Sequence, residues 1–219
     1  MSEDSNASKA KDIVIPIVFP DYRIAVVIPQ KRVDVIPWVE WDNFTIRKQN
    51  KKFSDLGHAG VLFINRKNGL TRYYEYGRYD AAAKGLIRKI SISNVKIKDG
   101  TVDYKSLKRP LLQISSKAGQ RGRISAVYIE VGAGKFKSMQ KYVNIRFAQN
   151  KNPKRKPYSI TGYSCIHFVK SVVKSADAET PWMLDPRPNS YIGEFRDDYP
   201  DLDYNPRKNR LTIEGIGEF

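Results

Sequence analysis

The sharpest hydrophobic pattern lies at residues 57–80, "GHAGVLFINRKNGLTRYYEYGRYD", where two apolar or aromatic runs flank Asn65-Arg66-Lys67-Asn68-Gly69. Two such runs around an Asn/Gly connection predict a β-hairpin. Upstream, "IVIPIVFPDYRIAVVIP" (13–29) is β-branched but broken by prolines, and predicts short extended pieces. Downstream, "LIRKISISNVKI" (86–97) alternates and predicts a strand followed by a turn at Asp99-Gly100. Residues 104–120 predict a helix interrupted by a proline and ended near Gly119, and 123–132 read as strand. In 134–152, Phe136, Met139, Tyr142 and Val143 recur at helical spacing. In "SITGYSCIHFVKSVVKS" (159–175), Ile166, Val169, Val172 and Val173 mark one face of a helix, with Ser164 placed to cap it. The polar residues 1–12 read as a disordered tail, and 13–219 as a single domain. From Asp177 onward, a stretch rich in Pro, Asp and Tyr reads as irregular covering structure.

Composition adds charge to this outline. The 219 residues carry a net charge of +16, which suits a polyanionic partner: nucleic acid, an anionic membrane surface or a cell-wall polymer. The densest basic cluster, "KNPKRKP" (151–157), contains two prolines and reads as a solvated loop. The start of the chain lacks the apolar core of a signal peptide, and no apolar run reaches membrane-spanning length. The expectation is a chain made in the cytoplasm, leaving it, if at all, by a route that reads no cleavable signal. One cysteine and two histidines in no finger-like spacing argue against structural zinc, and no cofactor is expected. "GAGK" (132–135) lacks the spacing of a phosphate-binding loop, and "DDYPDLD" (197–203) lacks the glycine and terminal Glu of a calcium loop.

Chemistry concentrates on the single cysteine. A lone Cys is ordinarily a small buried hydrophobe. Cys165, however, falls in the first turn of the predicted helix, where free N–H groups and the helix dipole favour a thiolate and could hold an oxyanion. A thiolate nucleophile needs a base and a group that orients the base. His167 lies two residues on, about 200° around the helix, and reads as structural or surface. His58 opens the first strand of the predicted hairpin. If Asn65 to Asn68 form the loop, Ile64 faces Gly69 and His58 sits directly opposite Glu75, within reach of its carboxylate. A two-residue Asn68-Gly69 turn would instead set Tyr79 opposite His58. Asp80, past Gly77, is the rival acid.

These residues carry a resemblance. "GHAG" and "YYEYGRYD", followed much later by a cysteine opening a helix, resemble the permuted NlpC-type branch of papain-like cysteine hydrolases, in the order His58, Glu75, Cys165. With "KPYSITGYSCIHFV", the chain looks more specifically like antibacterial type VI secretion effectors that cut peptidoglycan. The resemblance spans roughly residues 55–195. Many relatives place an Asn before the cysteine, where this chain has Ser164. The resemblance implies an α+β papain-like fold, an antiparallel sheet with the Cys165 helix packed against it. It also implies an amidase or endopeptidase, secreted to a target-cell periplasm, with a cognate immunity protein and a secretion-apparatus component as partners. Two other readings compete: the same triad acting on a protein or acyl-lipid substrate, and a basic non-enzymatic binding protein. The 13 tyrosines among many basic residues would suit nucleic acid, but no recognition motif is present and none is expected to bind.

Overall fold

The computed structural model describes residues 11–28, 31–34, 43–46, 49–53, 57–79, 84–159 and 162–219. Its strands are β1 (Asp12–Phe19), β2 (Ile24–Ile28), β3 (Lys31–Asp34), β4 (Asn43–Ile46), β5 (Gln49–Phe53), β6 (His58–Ile64), β7 (Thr71–Gly77), β8 (Leu86–Ile90), β9 (Ile97–Lys98) and β10 (Thr101–Val102). Helix α1 (Tyr104–Lys117) follows, then β11 (Ile124–Val127), β12 (Ile129–Val131), α2 (Lys135–Ala148), a short 3-10 turn, α3 (Cys165–Lys174) and α4 (Pro188–Arg196). Strands β13 (Asp201–Asn205), β14 (Arg210–Ile213) and β15 (Gly217–Glu218) close the chain.

The main sheet runs β15-β14-β13-β11-β1-β6-β7-β8, with β12 extending the β11 side of β1. Each of its pairings is antiparallel. Its central strand, β1, is buried along its whole length because both faces are covered. On one face Ile13, Ile15 and Ile17 pack with Leu62 and Tyr73 against Leu107, Leu111 and Ile114 of α1. On the other, Val14, Val18, Val61 and Phe63 meet Met139 of α2, Val169 and Val172 of α3, and Phe195 of α4. Fully burying one such aliphatic side chain contributes about 1.5–3 kcal/mol, so each helix is docked by its apolar stripe.

Several expectations are corrected. The prolines do not fragment the first strand: Pro16 lies inside β1, paired with Val61 on the β6 side. On the other side the ladder is interrupted at Tyr128, whose N–H donates to Pro200 O instead, so the donor that proline lacks falls where pairing is broken. Asp12 belongs to the strand and not to a tail. Its carboxylate accepts from Phe136 N (2.8 Å) at the start of α2 and from Arg66 N (3.2 Å). Pro110 sits within α1 without ending it, and Asp103 caps that helix through Lys105 N. Strand β8 stops at Ile90, well short of residue 97. The segment after Asp177 is not irregular: it supplies α4 and the three strands that extend the sheet beyond β11.

Candidate active site

The hairpin expected around Asn65–Gly69 is present, but its register differs from the sequence reading by two residues. Ile64 pairs with Thr71 and Gly60 with Glu75. Asn65 O accepts from both Asn68 N and Gly69 N, and Gly69 takes a left-handed φ of 72°. The loop keeps four residues, Arg66 to Gly69, but lies one position later, closed by Asn65 and Leu70, where Asn65 N donates to Leu70 O. His58 therefore does not face Glu75 directly. The correction leaves the contact intact, because a slip of two keeps both side chains on one face. Diagonal neighbours on a face remain within reach of long side chains. His58 Nε2 lies 3.2 Å from Glu75 Oε2.

Glu75 is fully buried, and its carboxylate is satisfied on both oxygens. Arg88, its direct cross-strand partner on β8, donates to Oε1 from Nε (2.9 Å) and Nη2 (2.5 Å). Tyr73 donates to Oε2 at 3.3 Å. Burial pushes the carboxyl up, but the hydrogen bond from His58 and the charges of His58 and Arg88 outweigh it and hold Glu75 below its ordinary value. Tyr79 completes the arrangement. Its hydroxyl lies 3.0 Å from His58 Nε2, it bonds Glu75 as well, and its ring carries the Arg88 guanidinium at 4.2 Å. His58, Glu75 and Arg88 thus form a line across three adjacent strands.

Nε2 being taken, Nδ1 is the nitrogen left for Cys165, whose thiol lies close enough for each group to shift the pKa of the other. Cys165 opens α3 behind Ser164, whose extended backbone (φ −114°, ψ 178°) marks the helix boundary. Ser164 does not cap the helix with its side chain. Its Oγ lies 2.8 Å from His167 Nδ1 instead, and burial lowers the His167 pKa. The role near the helix start falls to Tyr158: its hydroxyl donates to Cys165 Sγ at 3.5 Å and accepts from Cys165 N at 3.4 Å. Its ring stacks on Tyr76 of β7, 5.8 Å between centroids.

Cys165 is 2 % exposed and His58 7 %. Burial raises the thiol pKa. Hydrogen bonds from His58, Tyr158 and the Ala59 backbone N–H, with the His58 charge, outweigh it and hold the thiol below its ordinary value. For His58 burial disfavours the imidazolium, but the bonds to Cys165 and Glu75 push the group up to about 9. Opposite shifts in two touching groups are those of a thiolate–imidazolium pair. Cys165 N already donates to the Tyr158 hydroxyl, and the N–H groups that follow it at the start of α3 can hold an oxyanion forming beside the sulfur.

The profile of the family "Type VI secretion system effector TseH-like" matches residues 14–181, a span that contains His58, Glu75 and Cys165. The chain belongs to that family. The crystal structure of the type VI secretion system effector TseH aligns with it at a TM-score of 0.75 and 34% identity, over 93% of this chain and 98% of that one. No curated protein matches. Effectors of this kind are carried by a secretion apparatus into target cells. Among the described residues of this TseH-like chain, no helix is long and apolar enough to cross a membrane.

Sequence reasoning brought together Cys165, His58 and Glu75 and missed what holds them. Arg88 becomes visible only once β8 is aligned on β7. Tyr79, the alternative occupant of the place opposite His58, joins Glu75 beside the imidazole. Tyr158 had no signal beyond its place in the stretch before Cys165. Asp80 lies outside the described residues.

Proposed function

We propose that this effector is a papain-like cysteine hydrolase of the permuted NlpC type, which cuts an amide bond of bacterial peptidoglycan in the periplasm of a target cell. The observation that carries the reading is the position of His58. It is held by Glu75 through Nε2 and turned toward a thiol whose pKa is lowered while its own is raised. In this mechanism the Cys165 thiolate attacks the amide carbonyl carbon. The tetrahedral oxyanion is held at the start of α3. The His58 imidazolium gives its Nδ1 proton to the leaving nitrogen, and the C–N bond breaks to an acyl-enzyme. Neutral His58 then takes a proton from water, which attacks the thioester. The carboxylic acid leaves, and the thiolate–imidazolium pair is restored. Glu75 stabilises the imidazolium in each half-reaction, and Arg88 holds Glu75 ionised.

The choice of peptidoglycan rests on two supports. The family is one of secreted effectors, and a net charge of +16 draws the chain to an anionic wall. A cognate immunity protein and a component of the secretion apparatus are the partners this reading implies. The test is incubation of purified protein with purified peptidoglycan, with fragments identified by mass spectrometry. New peptide termini released by the wild type and absent with Cys165→Ala are expected. An unaltered wall, or equal release by Cys165→Ala, ends the proposal.

A further inference from the structure

A second feature lies beside the imidazole. The ring of Tyr22 packs on His58 with centroids 5.0 Å apart, and Gln120 lies beside the Tyr22 hydroxyl. Gln120 belongs to the wall of an open cavity of about 570 Å³, formed by the loop after β1, the loop after α1 and the β13–β14 turn. Four arginines line it: Arg23, Arg121, Arg123 and Arg207. Asp21 is the one acid among its lining residues, and it is engaged by Arg123 in a two-pronged pair of 2.9 and 3.0 Å. Among the described residues, the guanidinium groups of Arg23, Arg121 and Arg207 hydrogen-bond no carboxylate.

The cavity walls are fixed in place. Gln120 clasps the main chain of Arg23 twice, accepting from Arg23 N and donating to Arg23 O, each at 3.1 Å. Gln120 and Arg121 both adopt left-handed φ values, 53° and 61°, a conformation that costs non-glycine residues free energy. The turn is pinned by Arg121 N donating to Ser115 O at 2.8 Å and by Ser115 Oγ donating to Gly122 O at 2.7 Å. The β13–β14 turn is tied by Arg207 N to Asn205 Oδ1 at 3.1 Å. Three further arginines thereby line one space beside the Asp21–Arg123 pair, and Asp21, which also feels the charge of Arg207, is the one carboxylate set against the four.

We infer that this arginine cavity is a substrate subsite that receives a free carboxylate of the peptide whose amide reaches Cys165. Arginine presents a planar fork that matches a carboxylate in two-point contact, and the cavity is open, so an extended peptide can enter it. Wall stem peptides carry free carboxylates close to their amides. The cavity connects to the reacting centre through Gln120 of its wall, Tyr22 beside it and His58 against the Tyr22 ring. A carboxylate bound there would anchor an extended peptide so that an amide a few residues along it lies over the thiol. The subsite rests on the hydrolase reading for its role, but its occupancy can be measured without catalysis.

The experiment uses the full-length Cys165→Ala protein and a synthetic stem tetrapeptide in two forms, with its carboxylates free or amidated. Binding is measured by calorimetry at fixed ionic strength. The free form is expected to bind about tenfold more tightly than the amidated form. Adding Arg121→Gln and Arg207→Gln, both at exposed positions, is expected to abolish that preference. Adding Lys67→Gln and Lys98→Gln, which remove the same charge elsewhere on the surface, is expected to preserve it. An arginine variant that keeps the preference, a lysine variant that loses it equally, or no preference at the outset overturns the subsite. Cleavage of the same peptides by the wild type reads the hydrolase separately. Preferential binding without cleavage leaves the subsite standing and removes the enzyme, and cleavage without preference does the reverse.

Discussion

His58 and Glu75 meet on a diagonal of the β6–β7 ladder, and the two other corners of that square are glycines. Gly60 pairs with Glu75, and the same register sets Gly77 opposite His58. A Cβ at Gly60 would lie 2.1 Å from the Tyr73 hydroxyl, and one at Gly77 would lie 2.6 Å from the Tyr79 ring. The glycines therefore leave room for the two tyrosines that brace the Glu75–His58 contact. Gly60→Ala is expected to displace Tyr73, cost about 1–3 kcal/mol of stability by overpacking, and lower wall cleavage. Denaturant melts with a cleavage assay check both; unchanged stability would show that the corner is not filled.

Glu75 accepts hydrogen bonds on both oxygens, so an amide in its place must point its NH₂ at a donor. Glu75→Gln is expected to lose about 1–3 kcal/mol of stability and about tenfold or more in kcat/KM. Glu75→Ala should lose more activity, because no group then orients the imidazole. An alanine variant as active as the glutamine one would remove Glu75 from the mechanism.

Arg88→Lys keeps the charge but loses both the two-pronged bond to Glu75 and the contact with the Tyr79 ring. It should therefore behave more like Arg88→Ala than like the wild type. Its signature is a fall in the His58 pKa, read by NMR, since a less well-held carboxylate stabilises the imidazolium less.

The pH dependence follows from the shifts. His58 is raised from 6.5 to about 9. Its contribution to stability is therefore fully present below about 6.5 and lost as pH rises through about 9. Cleavage should show its basic limb in the same range, as the imidazolium that serves the leaving nitrogen disappears. The depressed groups act at the other end: Glu75 and Cys165 lose their contributions as pH falls through their folded values. In Cys165→Ala the His58 pKa should drop, because its bond to the thiolate is gone. An NMR titration still centred near 9 in that variant would refute the pairing.

Tyr158→Phe removes the hydroxyl that donates to Sγ. The thiol pKa should rise, measured as a shift to higher pH in the rate of iodoacetamide alkylation, and kcat should fall with little change in KM. His167→Ala, by contrast, should retain most activity, since its ring engages Ser164 Oγ and not the thiol.

The residues of the candidate site stand out in the sequence where chemistry restricts the choice. One cysteine, two histidines and a helix start narrow the nucleophile and base to a few combinations. The register was legible only to within a two-residue step, because the period-2 pattern of a strand is blind to a slip of two. That blindness did no harm here, since the acid stayed on its face. Arg88 was hidden because cross-strand partners depend on where β8 aligns, which its alternating residues do not state. The regular structure after Asp177 was hidden by composition: prolines and aspartates signal turns locally, while the apolar positions Leu202, Tyr204, Leu211 and Ile213 are buried by the face of the sheet covered by α1.

The placement of β1 at the middle of the sheet has a consequence for assembly. Its neighbours are β6 on one side and β11 with β12 on the other, so this early strand stays half-paired until residues more than a hundred positions later arrive. Closing such wide loops costs entropy before any contact repays it. Folding should accordingly be slow, with an apolar strand edge open to wrong pairings meanwhile. A cargo that is stretched in transit would have to repeat that long-range closure on arrival before Cys165 and His58 could meet.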